Sequence, residues 1–156
     1  MKNKKGFTLI ELLVALAIIG LLTTMGMVAM KNAREKARDA RRKGDLKQVQ
    51  TALGVYYNGT GNADYPVQGT FVCLSAAANL STALTGGVDP IMKTLPSDPM
   101  TTRDSVVNGC YAYRGDAQNY KLIMFLENET EAMTNDGGVI ANRFEIYTPG
   151  AQSWQP

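Results

Sequence analysis

"KKGFTLIELLVALAIIG", residues 4–20, decides how the chain is read. Two lysines and a glycine give way to an apolar run. Across the 24 residues from Phe7 to Met30 there is no Lys, Arg, Asp or His, and Glu11 is the only ionisable side chain. At 1.5 Å per residue this run makes a helix of about 36 Å, enough to cross a hydrocarbon core of roughly 30 Å with some tilt. An ionisable group at the centre of such a helix costs roughly 2.5 to 3.5 kcal/mol, less towards the headgroups, so Glu11 calls for a partner and a task.

The chain has 156 residues, 45% hydrophobic and 19% charged, enough for one modest domain beside one membrane span. A secretory signal peptide is the obvious rival, because Met1–Lys5 is a basic start. The apolar run is too long for it, and "KNAREKARDARRK" (31–43) offers no small-residue cleavage site. The sharp polar-to-apolar border lies between Gly6 and Phe7.

That border carries a resemblance. The basic leader, Gly6, Phe7, Thr8, Leu9, Ile10, Glu11 and the apolar helix resemble the class III signal of type IV pilins and of the pseudopilins of type II secretion. The resemblance implies that a prepilin peptidase cuts after Gly6 and methylates the new amino terminus at Phe7. It also implies an α+β fold of the pilin kind, a long N-terminal helix with a membrane half and an amphipathic half packed against a small antiparallel sheet head. Cleavage creates an α-amino group, cationic below a pKa of about 8, in apolar surroundings that disfavour a lone charge. The family implies that Glu11 meets the Phe7 amine of a neighbouring subunit and so registers assembly. Buried pairs are fair candidates for setting register.

The expected segments are a leader (1–6), an apolar transmembrane and assembly helix (7–30), a basic amphipathic neck (31–58) and a globular head (59–156). The neck holds eight basic and three acidic residues between Lys31 and Lys47, whereas residues 48–156 hold five basic and ten acidic. Counting Lys and Arg, three before the span and eight after it, places the C-terminal side in the cytoplasm; the resemblance implies the opposite orientation. No Pro occurs before Pro66, and Asn58-Gly59 is a stop signal, so one helix is expected from Phe7 to Tyr57, about 76 Å if unbroken. Asp39 and Lys43 are expected to form an i,i+4 pair. Two stripes run along the neck. Ala33, Ala37, Ala40 and Gly44 are small and suit contact with neighbouring subunits, or are good helix formers facing water. Leu46, Val49, Leu53 and Tyr56 are large and suit the chain's own head.

The head opens on "NGTGNADYP", a loop. "FVCLS" reads as a short strand, "SAAANLSTAL" as a helix ending at Gly86-Gly87, and "DPIMKTLPSDP" as a connector, whose Leu95, Pro96, Asp98 and Pro99 resemble the segment before the sheet in pilin heads. "CYAYRG", "NYKLIMFLE" and "RFEIYT" read as three antiparallel strands, with a turn near Gly115–Gln118. Cys73 and Cys110 fit no redox or zinc spacing, and the chain has no His, so we read a disulfide, the alternative being two buried free thiols. Major pseudopilins of type II secretion hold calcium in a comparable C-terminal loop. Glu131 and Asp136 are the candidates for it here, against a solvated acidic turn.

Enzyme chemistry has little to stand on, with no His and no nucleophile-elbow or phosphate-loop spelling. No cofactor is expected. The basic neck as a nucleic-acid surface is a minority reading, because a filament would pack it against neighbours. The expected function is a structural subunit of a type IV pilus-like extracellular filament. The alternatives are a type II secretion pseudopilin and, from another class, a membrane-anchored binding module in which Gly6 and Glu11 are dispensable. The partners implied are identical or related subunits, the peptidase and inner-membrane assembly machinery. The place implied is the cytoplasmic membrane as a single-pass protein, then a periplasmic or extracellular filament.

Overall fold

The computed structural model describes residues 6–59, 63–100, 102, 105–106 and 108–156. The leader residues Met1–Lys5 and part of the loop after Gly59 lie outside them. Helix α1 runs from Leu9 to Gly59, beginning and ending two residues later than expected. It contributes to two compact units, Met1–Glu35 and Lys36–Pro156.

In the first unit the helix is apolar all round, with a mean hydropathy of 2.4 over its best 18-residue window. Its large side chains, Leu9 to Met30, are exposed. A helix apolar on every face needs lipid or protein around it. The two hydroxyls in it are satisfied locally: Thr23 Oγ1 donates to Ile19 O (2.7 Å) and Thr24 Oγ1 to Leu21 O (2.8 Å).

The second unit is α+β. Strands β1 (Gln68–Cys73), β2 (Ala112–Gly115), β3 (Tyr120–Met124) and β4 (Phe144–Tyr147) form one antiparallel sheet in the order β1-β2-β3-β4. "FVCLS" is thus displaced: the strand starts at Gln68, and Leu74–Ala76 form a 3-10 turn leading into α2 (Ala78–Thr85). Gly69 lies where the register between β1 and β2 shifts, as glycine in a bulged strand commonly does. Thr130–Thr134, beside the acidic turn, form a short helix, α3, with Met133 buried.

Strand alternation divides the sheet into two faces. Tyr113, Tyr120, Leu122 and Met124 lie in one core with Leu46, Val49 and Leu53 of α1 and Leu80 and Leu84 of α2. The large stripe of the neck is therefore the bed of the head, with Tyr56 half-buried at its end. The small stripe, Ala33, Ala37, Ala40 and Gly44, is exposed along its length. On the opposite face Ala112 and Ile123 pack with Cys73 and Cys110, flanked by Phe71, Val106 and Ile140. Cys73 and Cys110 are bonded, with Cα atoms 5.7 Å apart.

Candidate assembly site

Helix α1 opens on a capping box. Thr8 stands before the first helical residue, and Glu11 follows three positions on, the T-x-x-E spelling in which each side chain meets the other's backbone N–H. Thr8 N–H donates to Glu11 Oε2 (2.8 Å), Thr8 Oγ1 donates to the same oxygen (2.7 Å), and Glu11 N–H donates to Thr8 Oγ1 (3.3 Å). Glu11 thus has a local partner that the sequence reading missed, although its signal was in plain view. Phe7, 87% exposed, and Gly6, also exposed, precede the cap.

The neck and head meet through buried charge. Arg42 is fully buried and reaches three carboxylates. Its Nη1 meets Asp39 Oδ1 (2.7 Å) and Glu127 Oε1 (2.5 Å), Nε meets Asp98 Oδ2 (2.7 Å) and Nη2 meets Asp98 Oδ1 (3.1 Å). Arg38 forks onto Glu127 through Nε (2.8 Å) and Nη2 (2.5 Å). Asp39, buried on the helix, accepts the N–H groups of Glu127 (2.9 Å) and Asn128 (2.9 Å), which ties the end of β3 to the neck. The expected Asp39–Lys43 pair gives way to these bonds, and the Lys43 ammonium meets Glu129 of the head. Tyr111 completes the junction by donating its hydroxyl to Asp45 Oδ2 (3.0 Å).

These contacts move protonation. The Arg38 fork, helped by Arg42 and opposed by burial, depresses Glu127 to about 2. Burial pushes the Arg42 guanidinium down, but bonds to Asp98, Glu127 and Asp39 outweigh it and leave the group above its ordinary value. Burial foremost, then the Asp45 charge, raises Tyr111. The cluster holds two guanidiniums against three carboxylates, with further backbone N–H donors, so every charge in it has a partner.

The calcium candidates do not converge. Glu131 is exposed on α3. Both oxygens of Asp136 are taken by backbone, Oδ1 by Gly138 N–H (2.8 Å) and Oδ2 by Glu145 N–H (2.6 Å). Among the described residues no three acidic, Cys or His side chains group as metal ligands.

Comparison with known proteins adds the lineage. The family described as the prokaryotic N-terminal methylation motif matches residues 1–27. The chain is 30% identical over 101 residues to type II secretion system core protein G of Klebsiella pneumoniae, covering 64% of this chain and 71% of that protein. It is 29% identical over 108 residues to core protein G of Escherichia coli K12, covering 68% and 73% respectively. Over 53 residues it is 40% identical to the type IV major alpha-pilin of Moraxella bovis, covering 34% of this chain and 33% of the pilin. No solved structure matches the chain at the same level.

Proposed function

This chain belongs to the family of type IV pilins and type II secretion pseudopilins, and from that premise we propose that it is a structural subunit of a pilus-like filament. In this reading a prepilin peptidase cuts after Gly6 and methylates Phe7. The apolar half of α1 stages the subunit in the cytoplasmic membrane as a single span, and inner-membrane machinery then packs that half against related subunits. The observation that carries it is the apolar helix itself: its large side chains are exposed while the head beyond it has a closed core of its own. The exposed small stripe, Ala33 to Gly44, supports close contact along the neck.

A pseudopilus is favoured by one observation, that the core protein G relatives match across two thirds of this chain whereas the pilin matches across a third. Deleting the gene separates the two filaments: loss of exported protein from the medium marks a secretion pseudopilus, and loss of surface fibres and retraction marks a pilus.

Glu11→Gln tests the assembly role with unusual precision. Glutamine serves a capping box as glutamate does, so this change keeps the helix start and removes only the charge. If the carboxylate neutralises the amine of an adjacent Phe7, assembly fails while cleavage and membrane insertion persist, since losing one member of a buried pair costs about 3 to 5 kcal/mol at every subunit. Normal filaments by electron microscopy, in cells lacking the unaltered copy, would restrict Glu11 to capping. Mass spectrometry of filaments that retained Met1–Gly6 would overturn the processing reading.

A further inference from the structure

The outer face of the sheet carries a second buried ion pair, unrelated to the neck. Lys121 of β3 and Glu145 of β4 are diagonal neighbours, since Ile123 is the residue directly opposite Glu145. Both are buried, and Lys121 Nζ lies 2.5 Å from Glu145 Oε2. The ammonium donates to two carbonyl oxygens of the C-terminal tail, Gln152 (2.9 Å) and Trp154 (2.8 Å). Three oxygens thus surround the ammonium, two as hydrogen-bond acceptors and the third as a charge partner. Among the described residues Glu145 Oε2 has no aligned hydrogen bond, so its compensation is the charge of Lys121.

The surrounding chain is shaped to this pair. Glu145 Oε1 accepts Ile140 N–H (2.5 Å), and Gln152 Nε2 donates to Gly137 O (2.8 Å). Gly137 has φ of +81°, and a Cβ at Gly138 would lie 2.1 Å from the Glu145 carboxylate. The "DGG" of residues 136–138 is therefore a turn wrapped around a buried anion, with Asp136 holding it from both ends.

One carboxylate oxygen and two carbonyl oxygens converging on a point are the donors a hard cation such as calcium takes. Here they converge on nitrogen. The calcium that the family resemblance implies for the C-terminal loop does not fit this arrangement, because the oxygens are already turned to a buried positive charge. We propose that Lys121 is the built-in cation of this loop, organising Glu145, the 136–140 turn and the tail to Trp154, so that the head folds and holds its C-terminal face without calcium.

The test uses the full chain in detergent and follows Trp154, the one tryptophan, whose ring lies 4.6 Å from the Arg114 guanidinium. The thermal midpoint and Trp154 emission are expected to be the same in EGTA as in millimolar calcium. Lys121→Met, which keeps the unbranched stem and removes the ammonium, is expected to lower the midpoint by about 10 °C or more and to expose Trp154. Adding Glu145→Gln to it should recover part of the loss, since no unpaired anion then remains. A wild-type midpoint raised by calcium, or a Lys121→Met midpoint equal to wild type, overturns the proposal. Should Lys121→Met fail to fold, the calcium titration of the wild type decides alone.

Discussion

Arg42 is the residue whose loss should be felt most in the head. Replacing it with leucine keeps an aliphatic stem in a fully buried position and withdraws a guanidinium from Asp39, Asp98 and Glu127 at once. Glu127 retains the Arg38 fork, and Asp39 retains two backbone N–H donors. Asp98 loses both of its guanidinium bonds and keeps Met100 N–H. Removing the central cation of a buried charge network costs about 3 to 5 kcal/mol. With an unfolding entropy of about 2.1 cal/mol/K per residue, the 121-residue unit from Lys36 to Pro156 has about 0.25 kcal/mol/K, so a loss of about 4 kcal/mol lowers the midpoint by about 16 °C.

The assay is urea unfolding of a soluble fragment begun at Asn32, followed by circular dichroism, with the midpoint and slope compared between variants. Arg42→Lys keeps the charge without the planar fork and should fall between wild type and Arg42→Leu. Combining Arg42→Leu with Asp98→Asn should restore part of the stability, because Asp98 is the carboxylate that gives up two guanidinium bonds at once. A loss under about 1 kcal/mol for Arg42→Leu, with an unchanged slope, would refute the reasoning by placing the network among pairs that solvent replaces at little cost.

Two further outcomes are expected. Glu127 is depressed from 4.5 to about 2, so its stabilisation is complete above about pH 5 and disappears as pH falls through 2; acid titration should remove up to about 3 kcal/mol, and Arg38→Ala should flatten that response. Replacing Cys73 and Cys110 by serine opens a loop of 37 positions' separation and should cost about 4 kcal/mol, read as a lower urea midpoint that reducing agent no longer shifts.

Helix α1 was legible because an unbroken apolar run leads into a proline-free neck with stripes at helical spacing, and the inner strands because they are short runs rich in aromatic and apolar residues bounded by turn residues. What was not legible depends on distant partners. The start of β1 at Gln68 follows from pairing with Gly115, not from the β-propensity of "QGT". Helix α3 has five residues, too few for a period to show, and Met133 is its only buried residue. Arg42 and Asp39 did leave a trace. The large stripe Leu46, Val49, Leu53, extended towards the N-terminus by steps of four and three, lands on both of them. Charged side chains on a buried face announce partners, and Asp98 in the connector and Glu127 after β3 are those partners. The Thr8–Glu11 cap was legible by spelling alone, but the cost of an acid in an apolar run drew the reading towards a neighbour's amine.

The split between a basic neck and an acidic head looks, along the chain, like a surface polarised for some anionic partner. In space much of it cancels. Arg38, Arg42 and Lys43 meet Glu127, Asp98 and Glu129, so the cations are set against the acids that made the head look anionic. Of those still exposed, Lys31 has Glu35 at 3.9 Å and Arg41 has Asp45 at 3.8 Å, long contacts of little energetic weight that still lower the local potential. A nucleic-acid surface needs several cations presented together to release counterions from phosphates. The neck turns three of its eight inward on the head, Arg38, Arg42 and Lys43. Its charge is better understood as the means by which the helix is keyed to its own head: a neck slipped by one helical turn would bring Arg38 to the place of Arg42 and leave Asp98 and Glu127 without their present geometry. A buried hydrophobic stripe alone tolerates such a slip more readily than a fork of guanidinium on carboxylate does.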